Sequence, residues 1–193
     1  MVFEFVYRSP HAPADVYTLH QEVMDIVFAG GDALNKEETR PLWRAIKSDS
    51  GSIVLVRTSV PPLGEVEYRE HCAEFSVGAM RRFNCRLNLS RRLRQGQAGH
   101  DKPSGTREIA LTVKEDIDEW LRLLLDHNGM ALQNAAIVSR GRLKVTPHHY
   151  INTADLVFNV RITDAERARV AYNRGLGRKK AFGMGLLLSG DLS

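Results

Sequence analysis

With 193 residues, 43% of them hydrophobic, the chain can form one ordinary domain or two small domains packed together, and no apolar segment approaches the roughly 20 residues of a membrane span. The first residues also lack the layout of a signal peptide, so we expect a soluble cytoplasmic protein without a membrane partner. Residues 1–76 hold 7 Lys or Arg against 12 Asp or Glu (net −5) and residues 77–193 hold 20 against 11 (net +9), which makes the C-terminal half the predicted nucleic-acid side.

The N-terminal half predicts one helix among several short strands. We expect the helix over Ala14–Phe28 because its apolar residues recur at helical spacing after two turn-forming prolines. Tyr17 and His20 lie at the edge of the apolar stripe, so His20 should be held firmly and still be reachable. The order of elements is that of a ferredoxin-like unit whose second helix is degraded. The predicted strands are Val2–Tyr7, Leu42–Lys47, Ser52–Thr58 and Cys72–Val77.

The C-terminal half opens with a strand in which polar and apolar residues alternate. From Arg82 to Ser90, the apolar side chains form one face, and we expect this face to pack on a core while the polar face offers its arginines outward. Residues 95–105, farther along, are rich in Gly, Ser, Gln and Pro, which is typical of a mobile loop.

Cations dominate this strand and loop. Between Arg81 and Arg107 there are eight Lys or Arg and one acid, Asp101, which exceeds what solubility needs. The alternative is a solvated arginine face, but contact with the phosphates of a nucleic acid is the favoured interpretation. The arginines that we predict to make this contact are Arg82, Arg86, Arg91, Arg92 and Arg94.

The rest of the chain predicts a second unit of the same kind. Trp120 lies on the apolar face of a helix at Glu115–Leu125, and we expect it in the core rather than as a base-stacking platform. A later helix, Thr163–Arg174, can be capped by Thr163. We therefore predict an α+β fold of two tandem ferredoxin-like (RRM-like) domains, residues 1–77 and 78–193. The further strands are Leu132–Val138, Arg142–Thr146, Asp155–Arg161 and Phe182–Leu188.

The cysteines and histidines do not suggest a metal site. Cys72 and Cys85 are the two cysteines and form no Cys-x-x-Cys motif, so we expect core or half-buried residues rather than a disulfide framework or a zinc site. His148 and His149 would point to opposite sides of a strand, and we expect them at the surface. The sequence predicts neither a metal ion nor a cofactor.

The most informative stretch lies near the C-terminus, where four glycines and three consecutive cations fall within eleven residues. Glycines permit positive φ and a close approach of the backbone to a ligand, and cations attract phosphate. Lys180 stands where a dinucleotide-binding fingerprint needs its third glycine, and the Gly-Lys-Ser/Thr of a P-loop is absent. Either an anionic backbone binds here, or the stretch is a glycine-rich turn before an edge strand. The residues concerned are Gly175, Gly177, Arg178, Lys179, Lys180, Gly183 and Gly185.

This run, Gly-Leu-Gly-Arg-Lys-Lys-Ala-Phe-Gly-Met-Gly-Leu-Leu, resembles the C-terminal glycine-rich loop of the CRISPR repeat-processing endoribonucleases, in the form seen in the CasE subfamily of type I-E systems. Met184 stands where members often carry Cys. The segment Val-Tyr-Thr-Leu-His-Gln at residues 16–21 resembles the family's Leu/Val-Tyr-x-Leu-His-Gln motif. The resemblance covers essentially the whole chain and implies the same pair of ferredoxin-like domains. It also implies that His20 is the general acid/base, that Tyr17 assists it, and that Lys180 and Arg178 stabilise charge.

The resemblance further implies a metal-independent endoribonuclease that cuts CRISPR repeat hairpins to release guide RNAs, with other Cascade subunits as partners. RNA contains its own nucleophile, the 2′-hydroxyl, so cleavage needs proton transfers and cations but no metal. Such attack leaves a 2′,3′-cyclic phosphate. Two alternatives remain from the residues alone: a non-catalytic module that binds structured RNA, and a basic structural subunit that binds protein.

Overall fold

The computed structural model describes residues 1–29, 40–93, 107–146 and 149–190. Every helix within these ranges is too short or too polar to cross a membrane. The elements in chain order are β1 (Val2–Ser9), α1 (Val16–Phe28), β2 (Leu42–Ser48), β3 (Gly51–Thr58), β4 (Tyr68–His71), β5 (Met80–Asn88), β6 (Ser90–Leu93), β7 (Arg107–Ala110), α2 (Lys114–His127), β8 (Met130–Thr146), β9 (His149–Ile162), α3 (Ala165–Arg174), a 3-10 turn (Lys180–Phe182) and β10 (Leu188–Ser189).

Two four-stranded antiparallel sheets confirm the predicted fold class. Their strand orders are β2-β3-β1-β4 and β10-β5-β9-β8, so the first strand of each unit lies between the third and the fourth. Both orders are the ferredoxin-like arrangement. The residues between β3 and β4 form no helix, which is the degraded second helix that the sequence predicts. The division of the chain between residues 77 and 78 stays a prediction.

The fourth strand of the first sheet is not where the alternation placed it. Residues 72–76 form no strand, and β4, which pairs with β1, comes earlier. Apolar and polar residues alternate here because Ala73 and Phe75 pack against the second core. The Phe75 ring contacts the rings of Phe83 and Tyr172. Cys85 is buried as predicted, but Cys72 is exposed, and its prediction is wrong.

Strand β8 is a single long strand and not the two predicted strands Leu132–Val138 and Arg142–Thr146. Its register with β9 shifts at three places, and these irregularities let one strand follow the twist of the sheet. Leu143 and Val145 near its end pack against the core of the first domain. The strand is therefore long enough to serve both domains, which short-range periodicity cannot reveal.

The end of the chain also differs from the prediction of a strand over Phe182–Leu188. The 3-10 turn ends at Phe182, Gly183 and Gly185 have positive φ, and the strand is confined to β10, which pairs with β5. Helix α3 begins at Ala165 and is capped by Asp164 rather than by Thr163, since the Asp164 carboxylate accepts a hydrogen bond from the Arg167 amide at 3.0 Å.

Each sheet packs against its helices to form a separate core. In the first core, Leu19 and Val23 of α1 pack on Trp43 and Val56 of the sheet. In the second core, α2 and α3 pack on β5 and β9, and Trp120 lies partly buried against this core rather than fully within it.

Buried arginines of the first sheet reach into the second domain. Arg57 is only 2% exposed, and its guanidinium donates to the carbonyl oxygens of Tyr172 at 2.8 Å and Leu187 at 3.0 Å. Its Nε donates to Glu4 at 2.7 Å, and its charge stacks on the Tyr172 ring with the guanidinium carbon 3.5 Å from the centroid. Arg57 therefore joins the two domains through backbone and ring contacts.

Of the polar face expected over Arg82–Ser90, only Arg82 is exposed, which contradicts the outward orientation expected for the rest of it. Asn84, Asn88 and Ser90 are buried. Arg44 of β2 donates to Asn84 and to Asp155, the latter at 3.2 Å. The polar residues of this face are therefore used for contacts within and between the domains.

Candidate active site and nucleic-acid interface

Helix α1 presents His20 and Tyr17 next to its buried stripe. The Asp15 carboxylate caps the helix by accepting from the Thr18 amide at 3.4 Å. Leu19, the residue before His20, is fully buried, whereas His20 is half-buried and Tyr17 is 62% exposed. His20 is thus held by the packing of the helix and remains accessible, as the helical spacing predicts.

The environment of His20 keeps its imidazole neutral near pH 7. Burial lowers the pKa of His20 below its ordinary value, and the positive charge of Arg40 lowers it further. A neutral imidazole can accept a proton, which is the first requirement of a general base.

Lys180 lies in the 3-10 turn, which contacts both α1 and β2. Its Nζ donates to the carbonyl oxygen of Arg174 at 2.7 Å. Burial lowers the pKa of Lys180, and the charges of Arg40 and Arg174 lower it further. Because Arg40 acts on both His20 and Lys180, the structure brings the two predicted catalytic residues into one electrostatic neighbourhood.

A cleft of about 320 Å³ opens beside Lys180. None of its lining residues is acidic, and three are cations. Such a surplus of positive charge favours an anionic ligand. A larger cleft of about 840 Å³, between the first sheet and the end of the chain, contains none of the predicted site residues. The lining of the smaller cleft is Met1, Val2, Arg40, Ser59, Asn173, Arg174 and Lys180.

Arg40 is a candidate site residue that the sequence analysis does not predict. It carries no motif and belongs to the acidic half of the chain, in the run Glu-Glu-Thr-Arg-Pro. Its relevance comes from the tertiary approach of the 3-10 turn to α1 and β2, for which the local sequence contains no signal.

The glycine-rich stretch is a packed turn. Gly175, Gly177, Gly183 and Gly185 all have positive φ, and all except Gly177 are buried. A Cβ on Gly183 would lie 3.0 Å from the Trp43 ring, so Gly183 lets the turn pack closely on the first domain. Tight packing accounts for most of these glycines.

Arg178 is held by the protein. Its guanidinium donates to the carbonyl oxygen and to the hydroxyl of Ser90, both at 2.8 Å, and lies 3.5 Å from Glu108. The neighbouring Lys179 has a φ of 62°, an uncommon conformation for a residue with a side chain, and its charge acts on Glu108.

The predicted arginines of the basic strand fall into two groups. Arg86 forms two hydrogen bonds to Asp155, at 2.8 and 3.0 Å, and is therefore tied to β9. Arg82, Arg91 and Arg92 have exposed side chains. The remaining residue of the prediction, Arg94, lies outside the described residues.

No group of three or more His, Cys, Asp or Glu in the described ranges could hold a metal ion. Of the adjacent histidines, His148 lies outside the described residues, and His149 begins β9.

A family model for the CRISPR associated protein matches residues 7–189. The chain belongs to this family. The match covers the helix with His20 and the glycine-rich stretch, which are the two segments that carry the resemblance in the sequence. Among curated protein sequences, none matches this CRISPR-associated protein at a significant level.

Solved structures share the fold of this CRISPR-associated protein over nearly its whole length. Thermus thermophilus Cse3, bound to an RNA representing a pre-cleavage complex, has a TM-score of 0.75 at 23% identity, with 98% of each chain covered. Cas6e from Escherichia coli K-12 has a TM-score of 0.75 at 19% identity, with 100% of each chain covered. A chain of a pre-nicking CRISPR RNA-guided surveillance complex has a TM-score of 0.69 at 16% identity, with 98% and 99% covered. These matches confirm the CasE-type fold.

Proposed function

We propose that this protein is an endoribonuclease that cleaves CRISPR repeat hairpins in precursor transcripts, without a metal ion or cofactor, and leaves a 2′,3′-cyclic phosphate. The observation that carries the proposal is the position of His20, a half-buried imidazole on α1 in the same electrostatic neighbourhood as Arg40 and Lys180. The likeness between the fold of this protein and that of an RNA-bound Cse3 structure supports RNA as the ligand.

The reaction uses the 2′-hydroxyl of the RNA as the nucleophile. A base removes its proton, an acid protonates the departing 5′-oxygen, and cations stabilise the charge of the pentacoordinate phosphorus. The neutral imidazole of His20 can perform the first transfer or, once protonated, the second. Tyr17, one turn earlier on α1, offers an exposed phenol as a helper, and Lys180 and Arg40 supply the positive charge.

We propose that cations of the C-terminal half bind the hairpin through its phosphates. They are the exposed Arg82, Arg91 and Arg92, the partly buried Lys179, and Arg94, which lies outside the described residues. Arg86 and Arg178, which protein partners hold in place, would contribute their positive charge. Gly177 is the glycine with room for close backbone approach, since its nearest would-be contact is 3.6 Å away. Packing requires Gly175, Gly183 and Gly185, which shape the turn beneath. Other Cascade subunits are the proposed protein partners.

The test is incubation of the protein with the repeat RNA of its own genome. We expect one cut, a cyclic phosphate on the upstream fragment, full activity in EDTA, and no cut when a deoxynucleotide precedes the scissile phosphate. His20→Ala should bind the hairpin nearly as tightly as the parent and should cut it about 10²–10⁴ times more slowly. Tyr17→Phe should be intermediate. His127→Ala, at the exposed end of α2, is the matched control and should cut at the parent rate.

Three results would contradict the proposal. Cleavage of the deoxy substrate would mean that water is the nucleophile and that His20 is wrongly assigned. Tight binding of the repeat without any cleavage would identify a non-catalytic RNA-binding module, and absence of both would leave a structural subunit.

A further inference from the structure

One carboxylate lies within the otherwise cationic surface formed by β6, β7 and the glycine-rich stretch. Glu108 of β7 pairs in register with Arg92 of β6, and its side chain is 36% exposed. Arg178 and Lys179 are close enough for their charges to act on it. By charge alone, an acid at this position opposes the binding of a phosphate chain. Its presence therefore needs a reason other than attraction.

Glu108 contacts three segments of the chain at once. A single carboxylate oxygen, Oε1, accepts hydrogen bonds from the Ser90 hydroxyl and from Asn88 Nδ2, the latter at 3.1 Å, and lies 3.5 Å from the Arg178 guanidinium. Arg178 in turn donates twice to Ser90. The end of β5, the start of β6 and the glycine-rich stretch are thus connected through one side chain.

The charge of Glu108 persists in this setting. Burial alone would raise the pKa of Glu108, but the hydrogen bonds from Ser90 and Asn88 and the charges of Arg178 and Lys179 outweigh burial and lower it. The carboxylate is therefore ionised at neutral pH and accepts charge-assisted hydrogen bonds, which are stronger than neutral ones.

We infer that Glu108 is a positioning residue for RNA binding: it holds the two-stranded ribbon β6–β7 against the glycine-rich stretch, so that Arg91, Arg92 and Lys179 present their charges in one fixed arrangement. The inference rests on the proposed function for the identity of the ligand. It does not place Glu108 in contact with RNA. A fixed arrangement of cations binds a structured phosphate backbone more tightly than the same cations on independent segments, because less conformational freedom is lost on binding.

The sign of one measurement tests the inference. Glu108→Gln removes a negative charge from a cationic surface, so a purely electrostatic surface would bind RNA more tightly after the change. A positioning role predicts weaker binding, by about threefold to tenfold, the loss expected when a charge-assisted hydrogen-bond centre is weakened. Affinity is measured with a repeat hairpin that carries a deoxynucleotide before the cut, so that cleavage does not enter.

Three further variants complete the experiment. Glu115→Gln removes the same charge at an exposed position of α2 and should leave affinity unchanged or slightly higher. Ser90→Ala changes no charge but removes the shared hydroxyl, and should also weaken binding. In the Glu108→Gln and Arg178→Ala double variant, the two losses should be less than additive, because both changes break the same connection.

A measurement without RNA separates this inference from the proposed function. In the free protein, Glu108→Gln should speed amide hydrogen exchange in β7 and in residues 178–180 together, but not in α2. Tighter RNA binding by Glu108→Gln, or exchange unchanged in both segments, would overturn the inference while the proposed function stands. If the parent protein binds no repeat RNA, both the inference and the proposed function are wrong.

Discussion

Among the residues that the structure describes, Arg40 is the one whose charge lowers the pKa of both His20 and Lys180. Burial lowers the pKa of His20 first, and Arg40 adds to the effect. Arg40→Ala should therefore raise the pKa of His20. The limb of the pH–rate profile that reports His20 should move to higher pH, whether His20 acts as base or as acid, in single-turnover cleavage measured from about pH 5 to pH 8.

Arg40→Lys is the control for this experiment, because it keeps the positive charge and should leave the limb in place. A limb that stays unmoved in Arg40→Ala would show that the charge of Arg40 does not reach His20. An unchanged profile combined with a lower rate would assign Arg40 to the substrate instead.

The predicted arginines separate by their contacts, and the separation can be measured. Arg91→Ala and Arg92→Ala should each weaken hairpin binding and reduce its salt slope by about one, since these exposed side chains can neutralise a phosphate. Arg86→Ala should lower the free energy of unfolding by about 2 kcal/mol, because Asp155 loses two charge-assisted hydrogen bonds.

Urea unfolding and salt-dependent binding, measured on all three variants, show which arginines bind RNA and which stabilise the fold. If Arg86→Ala left stability unchanged and altered only the salt slope, Arg86 would be an RNA contact and its bond to Asp155 incidental. Unchanged slopes for Arg91 and Arg92 would mean that the exposed arginines of β6 are only solvated.

Whether the sequence could predict a site residue depends on how far along the chain its partners lie. His20 and Lys180 stand in short local patterns, so the sequence alone can propose them as site residues. Arg40, Asp155 and Glu108 act through partners far along the chain, and no local pattern marks them. Glu108 also lies one residue past the basic window that ends at Arg107, so the count of cations missed the acid that organises them.

At the scale of elements, the glycine-rich stretch shows the limit of motif reasoning. Its glycines suggest close approach to a ligand, yet most of them meet protein. A Cβ on Gly185 would lie 2.4 Å from the carbonyl oxygen of Leu176, whereas at Gly177 the nearest atom is 3.6 Å away, and both residues have positive φ. Both positions therefore need a residue that adopts positive φ, but only Gly177 has space for a side chain.

Gly177→Ala should therefore cost about 1 kcal/mol of unfolding free energy, the penalty of a left-handed conformation. Gly185→Ala adds a clash with backbone and should cost more than about 3 kcal/mol. Urea unfolding gives both values, and Met184→Cys, a smaller side chain in the same turn, is the volume control. Equal losses at the two glycines would show that the turn relaxes around an added Cβ.

Periodicity predicted the type of most elements, but it missed β6 and β7 and misplaced the ends of several others. The helix α1 and the strands β2 and β3 came out within a few residues, because each buries one regular face. The merged strand β8 and the displaced β4 did not, since pairing with β9 or β1 decides where these strands lie. The Ser-Arg-Gly sequence inside β8 looks like a turn and is instead accommodated beside a strand irregularity.

At the scale of the whole molecule, the two domains are joined by buried charge. Arg57 and Arg69 both bond to the carboxylate of Glu4, but only Arg57 also reaches the carbonyl oxygens of the second domain. Arg69 is 76% exposed. The pair therefore offers a matched comparison of a buried interdomain arginine with a surface arginine on the same acid.

Arg57→Ala should lower the free energy of unfolding by about 3 kcal/mol or more, because it leaves buried carbonyl groups and part of the Glu4 charge without a donor. Arg69→Ala should cost less than about 1 kcal/mol, as an exposed ion pair does.

Trp43 lies in the first core and Trp120 beside the second, so variants that keep only one tryptophan report each domain separately during urea unfolding. The parent should unfold with both signals together, and Arg57→Ala should separate them, with the smaller first domain unfolding earlier. Equal losses in the two arginine variants, with coincident signals in both, would show that the domains are held together by apolar packing without Arg57.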